Sequence, residues 1–193
     1  MEVRLKIIVG ISGASGAIHG LRLLEKLRRH SGVEIHLILT RAGEKTLFLE
    51  TGKLAADIKS LADVTYSVDD IGCRLASGSF ITEGMIIAAC SIHTMSAIAT
   101  GISSNLLIRA ADVVLKERRK LILMVRESPF HLGHLRTMTA LAEMGAIIAP
   151  PLPAFYNSPQ TILDIVDHSV DRVLDLFGLP SPDTKRWDGT GKV

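Results

Sequence analysis

A chain of 193 residues fits one domain with at most a tail, which excludes a multidomain machine. Its 47% apolar and 22% charged content supports a buried core and excludes disordered, collagenous and coiled-coil chains. The net charge of +2, spread along the chain, argues against a nucleic-acid surface.

Residues 4–11 are β-rich and lead into Ser12, Gly13, Ala14, Ser15 and Gly16, which predicts a strand and then a tight turn. Leu21, Leu23, Leu24 and Leu27 then follow helical spacing up to Ser31 and Gly32. Residues 33–40 predict a second buried strand, 41–50 and 53–61 two helices, and 64–68 a weak strand. A Gly- and Ser-rich loop precedes the strong strand predicted at 84–90. Residues 91–100 read as a turn entering a helix, and 105–116 as a helix with Leu106, Leu107, Ala110, Val113 and Val114 on one side. A fourth buried strand is predicted at 120–125, a helix at 132–144, a short strand at 146–149 and a proline-rich loop at 150–159. A last helix at 158–177 precedes an extended tail.

Residues 84–108 carry no Asp, Glu, Lys or Arg, but His93, Asn105 and many hydroxyl residues argue for a buried strand and helix over a membrane span. The first ten residues carry Arg4 and Lys6 where a signal peptide needs an apolar core. Two cysteines, Cys73 and Cys90, give no disulfide framework, so a cytoplasmic protein is expected. The basic run Lys116, Arg118, Arg119 and Lys120 is interrupted by Glu117 and lacks interleaved aromatics, so it reads as a solvated helix end.

Apolar strands alternating with helices predict an α/β three-layer αβα sandwich with a mainly parallel sheet. Ligands in such folds bind outside the carboxyl ends of the strands, where strand order reverses. The first such place holds Gly10, Gly13 and Gly16, spaced GxxGxxG, whose backbone suits an anion at a helix start. The spacing is not GxGxxG, the second strand ends in Thr40 and Arg41 with no acidic residue for a ribose diol, and no triphosphate loop is present. Flavin mononucleotide, with a phosphate and a ribityl chain but no ribose diol, fits these absences. Ser91, His93 and Thr94 supply a second polar cradle, although Ser and Thr also serve as helix caps. Cys90 and His93 form a CxxH pair without a partner pair, so no metal is expected. Arg126 and Glu127 leave the fourth strand together, suited to phosphate binding and to acid or base work, or to a surface ion pair. Tyr156 lies in a loop that needs covering, for which a neighbouring subunit is a natural candidate, and Arg172 reads equally as an exposed helix partner.

Together GASGA at 13–17, GLRLLE at 20–25, GMIIAACSIHTMS at 84–96, RAADVVLKERRKLIL at 109–123, VRESP at 125–129 and PAFYNSP at 153–159 resemble the UbiX family of flavin prenyltransferases. The resemblance implies a single flavodoxin-like flavoprotein domain over 1–178, a tail over 179–193, and a homo-oligomer, a dodecamer built from trimers, with the active site at a subunit boundary. It implies transfer of a dimethylallyl group from dimethylallyl phosphate to N5 and C6 of reduced FMN, without a metal, to make the cofactor of UbiD-type decarboxylases. By motif match, FMN is held by Gly13, Ala14, Ser15, Thr40, Ser91, Ile92, His93, Thr94 and Arg109. Glu50, Lys116, Arg126, Tyr156 and Arg172 surround the prenyl phosphate, while Ser15 and Glu127 manage proton transfers. His93 departs from the family pattern, where many members carry Lys, as do His131, Gly133 and Thr137 in their stretch. Two other functions are compatible with the same fold: an FMN-binding accessory subunit of an aromatic acid decarboxylase, and a flavin-dependent cysteine decarboxylase.

Overall fold

A computed structural model describes residues 4–187 and 189. In chain order its elements are β1 (Leu5–Ile11), α1 (Ile18–Leu27), β2 (Val33–Leu39), α2 (Arg41–Thr51), α3 (Ala55–Lys59), β3 (Val64–Tyr66) and β4 (Gly84–Cys90). There follow α4 (Ile92–Thr100), α5 (Leu106–Lys116), β5 (Lys120–Val125), α6 (Leu132–Glu143), β6 (Ile147–Ile148) and α7 (Ile162–Asp175). Short 3-10 turns lie at Arg74–Ala76 and Phe155–Asn157.

All the strands pair in parallel, in the order β3-β2-β1-β4-β5-β6. This is the Rossmann order, and without the short edge strand β3 it reduces to the flavodoxin-like order. Alternate side chains feed two cores, because successive residues of a strand point to opposite faces. Ile7, Val9 and Ile11 of β1 meet Leu23, Leu24 and Leu27 of α1 and Val170 and Leu174 of α7 on one face. Ile8, Met85 and Ile87 meet Met95 of α4, Leu107 and Val114 of α5 and Leu141 of α6 on the other. Each such buried Leu or Ile contributes about 1.5–3 kcal/mol relative to exposure, and trimming Leu24 to alanine costs about 2–5 kcal/mol. The expected three-layer sandwich is therefore observed, with β1 and β4 flanking the point where strand order reverses.

Polar contacts fix α7 against α1. The Arg22 guanidinium donates to both oxygens of Asp167 at 2.7 Å, and Lys26 Nζ reaches Asp171 Oδ1 at 2.6 Å with both side chains buried.

Several boundaries differ from the sequence expectation for local reasons. Helix α7 starts at Ile162 because Thr161 and Asp164 form a reciprocal capping box, in which Asp164 N–H donates to Thr161 Oγ1 at 3.1 Å and Thr161 N–H to Asp164 Oδ2 at 2.9 Å. Helix α3 is only Ala55–Lys59, its start held by Asp57 Oδ2 on the Leu54 amide. Gly10 lies inside β1, so the turn itself holds only Gly13 and Gly16 of the glycine pattern.

The basic run is solvated as expected, with Lys116, Arg118 and Lys120 exposed, and three of its side chains also make local contacts. Lys116 pairs with Glu117, Arg119 donates to the carbonyls of Gly78 and Phe80 at 2.6 and 2.8 Å, and Lys120 reaches the Leu176 carbonyl. The tail packs back on the body: Leu179 is buried, Arg186 pairs with Asp175, and Trp187 sets its ring edge-on to Tyr156 at 5.9 Å. The expected tail at 188 and 190–193 lies outside the described residues. Among the described residues no helix is long and apolar enough to cross a membrane.

Candidate active site

A cleft of about 550 Å³ opens at the carboxyl ends of β1, β2 and β4, within the range of about 300–1,000 Å³ usual for small-molecule sites. The expected residues Gly13, Thr40, Ser91, His93 and Thr94 line it, together with Ser12, Arg41, Ala42, Val68, Asp69, Ser104 and Asn105. Three helices begin here, each on a side-chain cap. Thr40 Oγ1 accepts the Gly43 amide at 2.9 Å, Ser91 Oγ accepts the Thr94 amide at 3.2 Å, and Asn105 Oδ1 accepts the Ile108 amide at 3.1 Å. The positive dipole ends of α2, α4 and α5 are thereby turned toward one cleft.

Two glycines shape the first turn. A Cβ on Gly13 would stand 2.6 Å from Ala42 Cβ, so only glycine lets the start of α2 approach. Gly16 has φ +88°, a left-handed conformation that costs an L side chain strain. The Glu50 carboxylate receives the Gly16 amide, with Oε1 at 2.9 Å and Oε2 at 3.1 Å, and His19 Nδ1 lies 2.9 Å from the Gly16 carbonyl. Burial holds the His19 pKa below its ordinary value, so the neutral ring donates Nδ1–H to that carbonyl. Behind the turn, buried Ser12 donates from Oγ to the Ala89 carbonyl at 2.7 Å and accepts the Ser91 amide at 2.8 Å, tying the β1 turn to the end of β4.

Arg126 continues the ladder past β5, its amide donating to the Cys90 carbonyl at 3.1 Å, and its Cγ lies 3.8 Å from where a Cβ on Gly16 would stand. Glu127 follows, half-buried, with Oε1 accepting the Ser128 amide at 2.9 Å. Ala14 is buried, Ser15 exposed and Ile92 half-buried at the start of α4.

The remaining expected residues lie elsewhere in the chain. Tyr156 and Arg172 line a separate cavity of about 360 Å³ with Thr184, Lys185, Arg186 and Trp187. There Tyr156 OH lies 3.1 Å from His168 Nε2, and Arg172 Nη1 donates to Asp175 Oδ2 at 2.7 Å. Lys116 ends α5 at the amino end of the sheet, beside Gly78, because α5 begins at the cleft and runs down the full length of its strands. Arg109 pairs with Asp112 at 2.7 Å, one turn beyond Asn105. Glu50, grouped by the resemblance with the prenyl phosphate, stands on the Gly16 turn because α2 folds back on it, with Thr46 Oγ1 donating to the Gly13 carbonyl at 3.2 Å. One chain therefore brings Glu50 and Arg126 to the first turn, and Tyr156 and Arg172 to the tail.

The cleft fits FMN. Helix N-termini and the Ser91 and Thr94 hydroxyls suit its phosphate and ribityl chain, and Asp69, the one acidic lining residue among the described residues, is engaged by Arg41 at 2.6 Å. Cys90 and His93 point to different environments: Cys90 is inside the core with its thiol pKa pushed up to about 12 by burial, while His93 is exposed. Among the cleft residues not singled out in the sequence, Asn105 carried a legible signal as a helix cap, whereas Asp69 and Ser104 reach the cleft only through the fold.

The flavoprotein family profile matches residues 1–174. The flavin prenyltransferase UbiX of Thauera aromatica is 54% identical over 96% of this chain and 95% of its own length. The crystal structure of the dodecameric FMN-dependent UbiX-like decarboxylase from Escherichia coli O157:H7 superposes with a TM-score of 0.95, at 48% identity over 96% of this chain and all of that one. AnUbiX in complex with FMN and dimethylallyl pyrophosphate superposes with a TM-score of 0.94, at 43% identity over 96% of this chain and 98% of that one. With the parallel sheet, the glycine turn and the capped cleft in place, these likenesses make the chain a member of the flavoprotein family and, within it, of the UbiX flavin prenyltransferases.

Proposed function

We propose that this chain transfers the dimethylallyl group of dimethylallyl phosphate to N5 and C6 of reduced FMN, and that UbiD-type decarboxylases receive the product. The observation that carries this reading is the cationic and aromatic cavity at Tyr156 and Arg172, in a chain whose strand ends already form a flavin cleft. The relative solved with both FMN and dimethylallyl pyrophosphate supports pairing the two ligands. Bound FMN supplies the two nucleophilic ring atoms.

The residues of the chain then have separable tasks. Gly13, Ala14, Ser15, Thr40, Ser91, Ile92, His93, Thr94 and Arg109 hold FMN, through backbone amides, hydroxyls and charge. Lys116, Arg126, Arg172 and the Tyr156 hydroxyl take the donor's phosphate, stabilising the charge it carries away as the C–O bond breaks. Each charge-assisted hydrogen bond contributes about 1.5–3 kcal/mol. Glu127, beside Arg126, moves protons at its carboxyl oxygens, assisted by the exposed Ser15 hydroxyl; Glu50, which holds the Gly16 amide, stands with the residues around the prenyl phosphate.

Because Tyr156, Arg172 and Lys116 stand apart from the flavin cleft, a second copy of the chain completes the site. The dodecameric relative supports a homododecamer, as do the exposed apolar Leu49, Leu152, Phe155 and Ile162, which need cover.

The test is to mix purified protein anaerobically with reduced FMN and dimethylallyl phosphate and analyse the flavin by mass spectrometry. Flavin heavier by one isoprene unit, with release of inorganic phosphate, is expected. Unmodified FMN recovered from protein that still binds it would replace this reading with that of an FMN carrier.

A further inference from the structure

We infer that the tail supplies the donor site with a further phosphate-binding residue, Arg186, which Asp175 holds beside Arg172. The inference rests on the donor site proposed above. Asp175 Oδ2 accepts from Arg172 Nη1 at 2.7 Å and from Arg186 Nη1 at 2.9 Å, and Oδ1 accepts from Arg186 Nη2 at 2.6 Å. The carboxylate is only 14% exposed, while the side chains of Arg172 and Arg186 are 57% and 48% exposed. A sunken anion thus positions two guanidinium groups along one cavity wall, and each keeps N–H donors to spare.

Charge explains why the second group is needed. Arg172 is paired with Asp175, so within this cavity the pair by itself adds little net attraction for the phosphate dianion that Lys116 and Arg126 also hold in the proposed site. Lys185 and Arg186, which line the same cavity, add two positive charges beside that pair, with Asp164 acting on Lys185 and Asp171 on Arg186. Hydrogen bonding from Arg186 also lowers the Asp175 pKa, so the carboxylate stays ionised.

Other contacts of the tail hold it in place without using the Arg186 guanidinium, which among the described residues Asp175 alone engages. Leu179 is buried, Lys185 Nζ donates to the Asn157 carbonyl at 3.4 Å, and the Trp187 ring stands on Tyr156. Arg186 would then bind the donor, and Asp175, one step removed, is a positioning residue.

The experiment measures donor KM, kcat, FMN Kd and inhibition by inorganic phosphate anaerobically on the full-length oligomer, for Arg186→Gln, Arg186→Lys, Asp175→Asn and Arg172→Gln. Arg186→Gln is expected to raise donor KM and the phosphate inhibition constant about tenfold, with FMN Kd and melting temperature close to wild type. Arg186→Lys should recover most of the loss, and Asp175→Asn should resemble Arg186→Gln. Wild-type KM in Arg186→Gln with a raised KM in Arg172→Gln overturns the inference and leaves the donor site standing. Wild-type KM in both overturns the donor site as well. Loss of FMN binding or of the folded oligomer in both Arg186 variants makes Arg186 a structural staple and overturns the inference.

Discussion

Replacing Ser12 with alanine removes one hydroxyl and two hydrogen bonds at the base of the flavin cleft. The Ala89 carbonyl loses a donor at 2.7 Å and the Ser91 amide loses an acceptor at 2.8 Å, and Ser12 is buried. An unpaired buried polar group costs about 1–3 kcal/mol, so the two bracket the loss at about 2–6 kcal/mol. We expect the lower half of that range, because Ser91 is half-buried and regains some hydration. For a chain of this length about 2–4 kcal/mol corresponds to a fall in melting temperature of roughly 5–15 °C. Thermal melts at fixed protomer concentration and an FMN titration by fluorescence quenching check both consequences, since the same bond sets where Ser91 opens α4. A fall below about 1 °C with unchanged FMN affinity would refute the claim that Ser12 couples the two loops.

Three further outcomes are expected. Lys26→Met leaves Asp171 charged and unpaired between α1 and α7, where both side chains are at most 5% exposed. It should cost about 3–5 kcal/mol in urea unfolding, most of it recovered by adding Asp171→Leu. Burial lowers the pKa values of His19, His36 and His168, so the unfolded chain binds protons that the folded chain refuses. Stability should fall as pH drops below about 6.5 toward the folded-state values; a flat melting profile from about pH 7 to 5 would contradict this. Glu127→Gln should keep FMN affinity and fold while slowing product formation by about 100-fold or more, the usual share of a general acid or base; unchanged turnover would remove its proposed role.

Legibility followed the range of the interactions. Strands β4 and β5 are readable to the residue, because Gly84 and Lys120 bound unbroken apolar runs of strand length, too short for a buried helix. Helix α7 starts four residues after its expected start, although Thr161 and Asp164 spell out a capping box and Pro159 interrupts the loop. The first turn and the Ser91 cradle were recognisable because helix starts at strand ends are local events. The seat of Glu50 on the Gly16 amide joins residues 34 apart in sequence, so periodicity carried no trace of it. The tail read as extended because its anchors, Asp175 and Tyr156, act through single side chains and leave no repeat. The motif match groups Lys116 with the prenyl phosphate, whereas the length of α5 carries it to the amino end of the sheet.

The central claim is that two copies of the chain build one active site, the flavin cleft of one facing the phosphate cavity of the other. Mixed oligomers test it. Glu127→Gln and Arg172→Gln protomers, each nearly inactive alone, are refolded together and assayed anaerobically for prenylated flavin. In a symmetric assembly with random mixing, about a quarter of sites receive both intact halves, so about a quarter of wild-type activity should return. Mixed oligomers as inactive as the parents would contradict the account.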